Sequence, residues 1–281
     1  MKLKLFLLIT LLIVISCTNS DNELLNETIE PAVVKNPTKI SSQFPILLQS
    51  SATSDPNCYF EYNSQGKVTK KIGKIIQGSS SSGLPPYFVN WIYTIVSYNG
   101  NSAVMKTHSL NPTFNPLIDE KLFEFDNQGK IIKSIIYAPQ YIEWEKHLTY
   151  KYNTSGKLVE ILTELPNMPY IPTDPNDYIL TYIEKFTYDG AGNLQKAITT
   201  ERHNNTDIYI TKSVEFSNFD TTQNPFNNFT VFEDYFYLSL SKNNFQKRKI
   251  QEFNMDGQEV FFNELTWANQ YNLDGSLKLY Y

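Results

Sequence analysis

Two carboxylates interleaved with aromatics are the first residues of this chain that could do chemistry. Tyr141, Glu143 and Glu145 alternate in sequence, so on an extended strand they share one face, with Trp144 on the other. Same-face neighbours on a strand lie about 7 Å apart, a separation that excludes neither geometry of two-acid glycoside hydrolysis. Lys146 and His147 follow at once, and alternating charge is equally the mark of a solvated strand face. The three histidines, His108, His147 and His203, stand far apart with no His or Cys at ligand spacing, so they do not specify a metal site. Asp174-Pro175-Asn176-Asp177 offers oxygen ligands but lacks the alternating ligands and closing Glu of a calcium loop; its side chains suit a self-satisfied turn. No Gly-x-Ser-x-Gly elbow, phosphate-cradling Gly-rich loop or nucleotide fingerprint occurs, so neither catalytic residues nor a cofactor are expected.

The elements that would position such residues are strands. The 281 residues are 41% hydrophobic, 14% aromatic and 19% charged at a mean hydropathy of −0.36, which excludes a bundle of membrane-spanning helices and a disordered polyampholyte. Tyr (19) and Phe (18) supply nearly all the aromatics, a strand-favouring balance. No apolar stripe of helical period persists for ten residues beyond the leader.

Four strings share one grammar: Phe60-Glu61-Tyr62-Asn63-Ser64-Gln65-Gly66-Lys67-Val68, then Phe123 to Ile131, Tyr150 to Leu158 and Phe186 to Leu194. Weaker copies run from Phe253 to Gly257 and from Tyr271 to Leu277. Each reads as a β-hairpin with a type I turn followed by a left-handed glycine, which assigns that conformation to Gly66, Gly129, Gly156, Gly192, Gly257 and Gly275. Glycine is needed there because a Cβ clashes with the backbone at positive φ. The turn fixes register, so Tyr62 should face Val68, Phe125 Ile131, Tyr152 Leu158, Tyr188 Leu194 and Tyr271 Leu277. Asn99-Gly100 marks a further two-residue hairpin, and long loops are expected at 78–86, 165–177 and around 221–228. The expected fold is all-β: an antiparallel β-meander of hairpin repeats forming a large curved sheet or open barrel, in one domain over 51–281.

Residues 1–16 read as a signal peptide: Lys2 and Lys4 precede an apolar core from Leu5 to Ile15 that is too short to span a bilayer. Val14-Ile15-Ser16-Cys17 resembles the lipobox of bacterial lipoproteins, which implies lipidation at Cys17 and a membrane anchored through its N-terminal lipid. Residues 17–50, rich in Asn, Ser, Thr and Pro, read as a flexible tether, with the stretch from Phe44 onward able to join the fold. Removing the leader takes the formal charge from −5 to −7, which disfavours nucleic acid as a partner. Cys58 is then left without a disulfide partner and reads as a packed strand residue.

The repeated string is similar to the YD repeat of Rhs-type proteins, with Lys67, Lys130, Lys157 or Asn193 where Arg is usual. Its uneven glycine spacing, 63, 27, 36, 65 and 18 residues, departs from a strict array. A fuller resemblance is to lipoproteins of unknown function from the Bacteroidota, which join a lipobox, such hairpins, an Asp-x-x-x-Asn-Pro-Phe segment (here Asp220 to Phe226) and a closing strand pair. It implies a porin-like antiparallel sheet curling toward an open barrel. Thr18 after the cysteine and the acidic Ser20-Asp21-Asn22-Glu23 resemble outer-membrane sorting and surface export, with the periplasmic face as the alternative. The functional expectation is a non-enzymatic binding or scaffold module with a glycan or protein ligand, Tyr141, Glu143 and Glu145 being candidate ligand-face residues. The alternative is a hydrolase acting on polysaccharide or envelope material.

Overall fold

The computed structural model describes residues 36–44, 51, 53–76, 86–111, 120–137 and 141–280. They form one antiparallel sheet of fourteen strands, β1 to β14, in which each strand pairs with its neighbours in sequence. The first strands are β1 (Lys39–Ser41), β2 (Asn57–Tyr62), β3 (Val68–Ile76), β4 (Tyr87–Asn99) and β5 (Ser102–Ser109). The middle of the sheet holds β6 (Glu120–Phe125), β7 (Ile131–Ile136), β8 (Lys146–Tyr152), β9 (Leu158–Glu164) and β10 (Leu180–Tyr188). The last four are β11 (Leu194–His203), β12 (Thr206–Gln223), β13 (Asn243–Phe253) and β14 (Glu259–Thr266). The sheet stays open because β1 and β14 do not pair, although the tail beyond β14 reaches β1 through one backbone bond from Ser41 N–H to the Leu279 carbonyl at 2.8 Å.

Hairpin register follows the repeat. Tyr62 pairs with Val68, Phe125 with Ile131, Tyr152 with Leu158 and Tyr188 with Leu194, each at a bulge, and Tyr271 bridges Leu277. In the first hairpin the Asn63 side chain accepts the N–H groups of Gln65 and Lys67 at 3.0 Å each, while the Gly66 N–H closes on the Asn63 carbonyl at 3.0 Å. All six turn glycines have positive φ, from +74° at Gly66 to +95° at Gly192. A meander alternates its connections between two ends, so the turns at Gly66, Gly129, Gly156 and Gly192 gather at one end of the sheet, here the turn end. Gly257 closes β13 to β14 at the far end.

Three features differ from the sequence expectation. The sheet begins inside the stretch read as tether: β1 pairs with β2, and Ile40 and Phe44 are buried. An apolar pair that a strand edge can bury is enough to hold an otherwise polar segment. The β4–β5 turn is Gly100-Asn101, with Asn99 paired to Ser102 and Gly100 at φ +56°, one residue later than the Asn-Gly reading. The segment around 221–228 is also no simple loop. After β12 ends at Gln223, residues 224–242 fold back over one face of the sheet, through a helical turn at Glu233–Tyr235 and a short helix, α1 (Phe236–Ser239).

That insertion makes the core. Phe226, Phe229, Val231, Phe232, Tyr235 and Leu238 are buried, and Phe60 of β2 meets Phe229 edge-on with ring centroids 4.7 Å apart. Burying each such side chain contributes roughly 1.5–3 kcal/mol. The covered, inner face carries Val68, Phe123, Leu158, Phe186, Leu194, Val214 and Phe216. The outer face carries cross-strand ion pairs, among them Lys70–Glu61, Lys106–Glu120 and Lys196–Glu215, and the register places Lys151 opposite Glu160 and Glu160 opposite Lys185.

Candidate functional site

The residues after Gly66, Gly129 and Gly156 line one cleft at the turn end. Type I turn plus bulge turns each of them inward, where its side chain reaches the next hairpin. Lys67 lies over the Tyr98 ring at 5.0 Å from its centroid and over Phe125 at 5.8 Å. Lys130 lies over Tyr152 at 5.4 Å, and Lys157 over Tyr188 at 5.1 Å. Each ammonium is thereby held at a ring face, which suits its charge. The Lys157 ammonium also donates to the Gly192 carbonyl at 2.7 Å, and Lys130 to the Gln128 side chain at 2.8 Å.

In the fourth hairpin the slot holds Asn193, and its environment accounts for the change. Asn193 is buried; its amide donates to Asp189 at 3.1 Å and its oxygen accepts the Asn243 N–H at 2.8 Å, where a lysine would be buried against the start of β13. Lys242, exposed at the end of the insertion, supplies the cation on that side. Together with Asn227, Asn228 and Thr230 of the insertion, these hairpins enclose an open cleft of about 640 Å³.

The lining contains Lys67, Lys130, Lys157 and Lys242 and no Asp or Glu. The acids nearest in sequence are occupied: Asp126 accepts the N–H groups of Gln128 and Lys130, and Asp189 that of Asn193. Burial lowers the Lys157 pKa and the Lys242 charge lowers it further, against the attraction of Asp189. Burial pushes the Tyr98 phenol up to about 12 and those of Tyr152 and Tyr188 higher still, so the rings stay neutral and supply no counter-charge of their own. The Tyr188 hydroxyl is buried without a hydrogen-bond partner.

Behind the cleft, a smaller cavity of about 230 Å³ between sheet and insertion holds two acids, Glu184 of β10 and Glu233. Burial raises the Glu184 pKa, against a hydrogen bond from the Tyr237 hydroxyl at 2.5 Å and the charge of Lys212. Glu233 pairs with the buried Lys121 of β6. One acid is thus bonded to the insertion and the other neutralised by the sheet, an arrangement that fastens the two together rather than one that leaves an acid–base pair free.

The candidate ligand-face residues are elsewhere. Tyr141, Glu143 and Glu145 do not share a strand: Ile142–Trp144 is a 3-10 turn in the β7–β8 connection, at the far end. The reason is local, since a backbone bond from Trp144 N–H to the Tyr141 carbonyl closes the turn before β8 begins. Glu145 bonds His147 at 2.8 Å, and none of the three lines the cleft. His108 stacks on Tyr93, and His203 stacks on Tyr178 and bonds Glu201. No His, Cys, Asp and Glu grouping suited to a metal ion occurs among the described residues. Asp174 and Asp177 accept backbone N–H groups of their own loop, from Asn176, Ile171 and Tyr178. Cys58 is buried and free; Cys17 lies outside the described residues.

The lysines were visible in the sequence as the recurring basic place after the glycine, but one repeat alone gives no reason to group them. Glu184 carried no sequence signal, since its burial depends on the insertion.

Neither a protein-family model nor a curated protein matches the sequence. Solved structures do resemble the fold, fourteen chains in all. Two are porin-like proteins of Bacteroides. That from Bacteroides uniformis ATCC 8492 is 10% identical, with 80% of this chain and 87% of that one covered, at a TM-score of 0.42. That from Bacteroides vulgatus ATCC 8482 is 14% identical, with 86% and 90% covered, at 0.47. The all-β antiparallel meander rests on the strand pairing itself.

Proposed function

We propose that the chain is a non-enzymatic binding module of the bacterial envelope, anchored through lipid on Cys17 at the outer membrane and facing the cell surface, and that it takes a saccharide in the turn-end cleft. The cleft is the observation that carries this reading: it is open, and its amides, hydroxyls and ammoniums are arranged by a repeated backbone device rather than by one loop. The outer face supports anchoring over spanning. A transmembrane barrel turns an apolar band outward, and charge there is costly, whereas this sheet turns Lys–Glu pairs outward and its apolar side inward. The described chain begins at the cleft rim, where Asn36 bonds the Gly66 carbonyl and Asn228.

The test has two parts. Metabolic labelling with a fatty-acid analogue should mark the wild type and not Cys17→Ser, and proteinase added to intact cells should remove the domain. Titration of the purified full chain with an oligosaccharide panel should give saturable binding that is weakened by changes in the cleft and unchanged by Glu143→Gln with Glu145→Gln. Unchanged labelling of Cys17→Ser overturns the anchor, and loss of binding on the Glu143 and Glu145 changes moves the site to the far end.

A further inference from the structure

Four ammonium groups converge on one cleft of a chain whose formal charge is −5, and no carboxylate lines it. Several lysines elsewhere in the chain meet acids: Lys70, Lys106 and Lys196 each meet a Glu within 3.1 Å, and the buried Lys71 and Lys121 meet Asp234 and Glu233. Among the described residues Lys67, Lys130 and Lys157 are held instead against neutral rings and neutral oxygens. A ring face orients an ammonium without discharging it, so its remaining donors stay available to an anion. Like charges held together in partial burial repel, and an anionic group placed among them relieves that repulsion. The tyrosine edges, the Asn and Gln amides and the Ser and Thr hydroxyls of the rim suit the rings and hydroxyls between such groups.

We propose that the ligand of this cleft is an acidic saccharide, its carboxylate, sulfate or phosphate groups bound by Lys67, Lys130, Lys157 and Lys242. The proposal rests on the saccharide-binding reading above and sharpens it. Charge is the discriminating feature, and the sugar frame carries it across several lysines at once.

The experiment is calorimetric titration of the full chain with uronate, sulfated and phosphorylated oligosaccharides, each against its neutral counterpart, the uronate against its own methyl ester. The acidic member should bind and its counterpart should bind at least about tenfold more weakly, the equivalent of one charge-assisted hydrogen bond. Affinity should fall as salt is raised from about 0.05 to 0.5 M, because exposed charge pairs are screened over that range. Lys130→Gln with Lys157→Gln should lose binding by a similar factor, and Lys130→Arg with Lys157→Arg should retain it. Lys133→Gln with Lys151→Gln, which removes the same charge from the outer face, should bind as wild type. Thermal melting of each variant separates lost recognition from lost folding, and the arginine pair preserves both charge and fold. Equal binding of acidic and neutral members overturns the acidic-saccharide proposal and leaves the saccharide reading standing. Binding of no member overturns both. Equal loss in the outer-face pair assigns recognition to net charge and removes it from the cleft.

Discussion

Lys71 of β3 and Asp234 of the insertion form an ion pair between the sheet and the insertion, although they are 163 residues apart in sequence. Burial opposes the charge on both, and their mutual attraction outweighs it: Lys71 is held above and Asp234 below the ordinary range. The pair sits against Phe232 and Tyr235, so the insertion brings its own counter-ion to a lysine that it also covers with aromatic rings.

Breaking that pair should loosen the insertion. Asp234→Asn leaves Lys71 buried without its counter-charge, at a cost of about 2 kcal/mol, below the 3–5 kcal/mol of a wholly buried pair because the Asp234 side chain keeps 38% exposure. The pH dependence has a definite sign. A carboxyl held below its unfolded pKa stabilises the fold above about pH 3.9 and loses that contribution as pH falls through the lowered value. Urea midpoints measured from neutral pH downward should show a steeper acid decline in wild type than in Asp234→Asn. Parallel curves would mean that the pair contributes nothing to stability.

Glu184 should behave in the opposite sense. Its raised pKa means that the fold is favoured by protonation: the contribution is complete below about pH 4.3 and is lost as pH rises through the folded value. Glu184→Gln keeps an acceptor for the Tyr237 hydroxyl while removing the buried charge, so it should be neutral or stabilising at pH 7. Tyr237→Phe removes the bond that favours the charged form and should raise the Glu184 pKa further. Carboxyl NMR titration of wild type and Tyr237→Phe reads this directly, and a downward shift would contradict the assignment.

Asn224 holds the two ends of the insertion together. Its buried amide donates to the carbonyls of Leu238 and Ser241, and its oxygen accepts the Phe226 N–H at 2.8 Å. Two of the three bonds need a donor, so Asn224→Asp should destabilise at least as much as Asn224→Ala, by about 2–3 kcal/mol, because it sets a carboxylate against two carbonyls that had accepted the amide. Denaturant unfolding of the two variants decides it; a mild Asp effect would show that the acceptor role dominates.

Gly129 offers the clean test of the repeated turn. It has φ +79° and nothing within 4 Å of where a Cβ would stand, so substitution there changes backbone strain alone. Gly129→Val should cost more than the roughly 1–2 kcal/mol of left-handed strain in an ordinary residue, and Gly129→Asn much less. At Gly156 a Cβ would stand 2.6 Å from the Lys130 ammonium, so the same changes there should also disturb the cleft. Unfolding free energies that agree within about 0.5 kcal/mol for Val and Asn at Gly129 would contradict the turn assignment.

What the sequence by itself determined is whatever closes within a few residues. From Asn63 to Lys67 the side-chain acceptor, the left-handed glycine and the facing pair Tyr62–Val68 are one local geometry, so the grammar fixes register without reference to the rest of the chain. The same locality explains the Tyr141 to Glu145 misreading, since alternation in sequence implies a shared face only where the backbone is extended, and a single turn hydrogen bond at Trp144 removes that condition. Tertiary structure alone decided which side chains meet. The insertion has no helical stripe to announce it, and its aromatics become core only because fourteen strands have made an apolar face to receive them. Lys71 reads as one of many strand lysines until Asp234 arrives from the other end of the chain. Lys67, Lys130 and Lys157 become one site because a meander returns every second connection to the same end, a consequence of strand order that no single repeat contains.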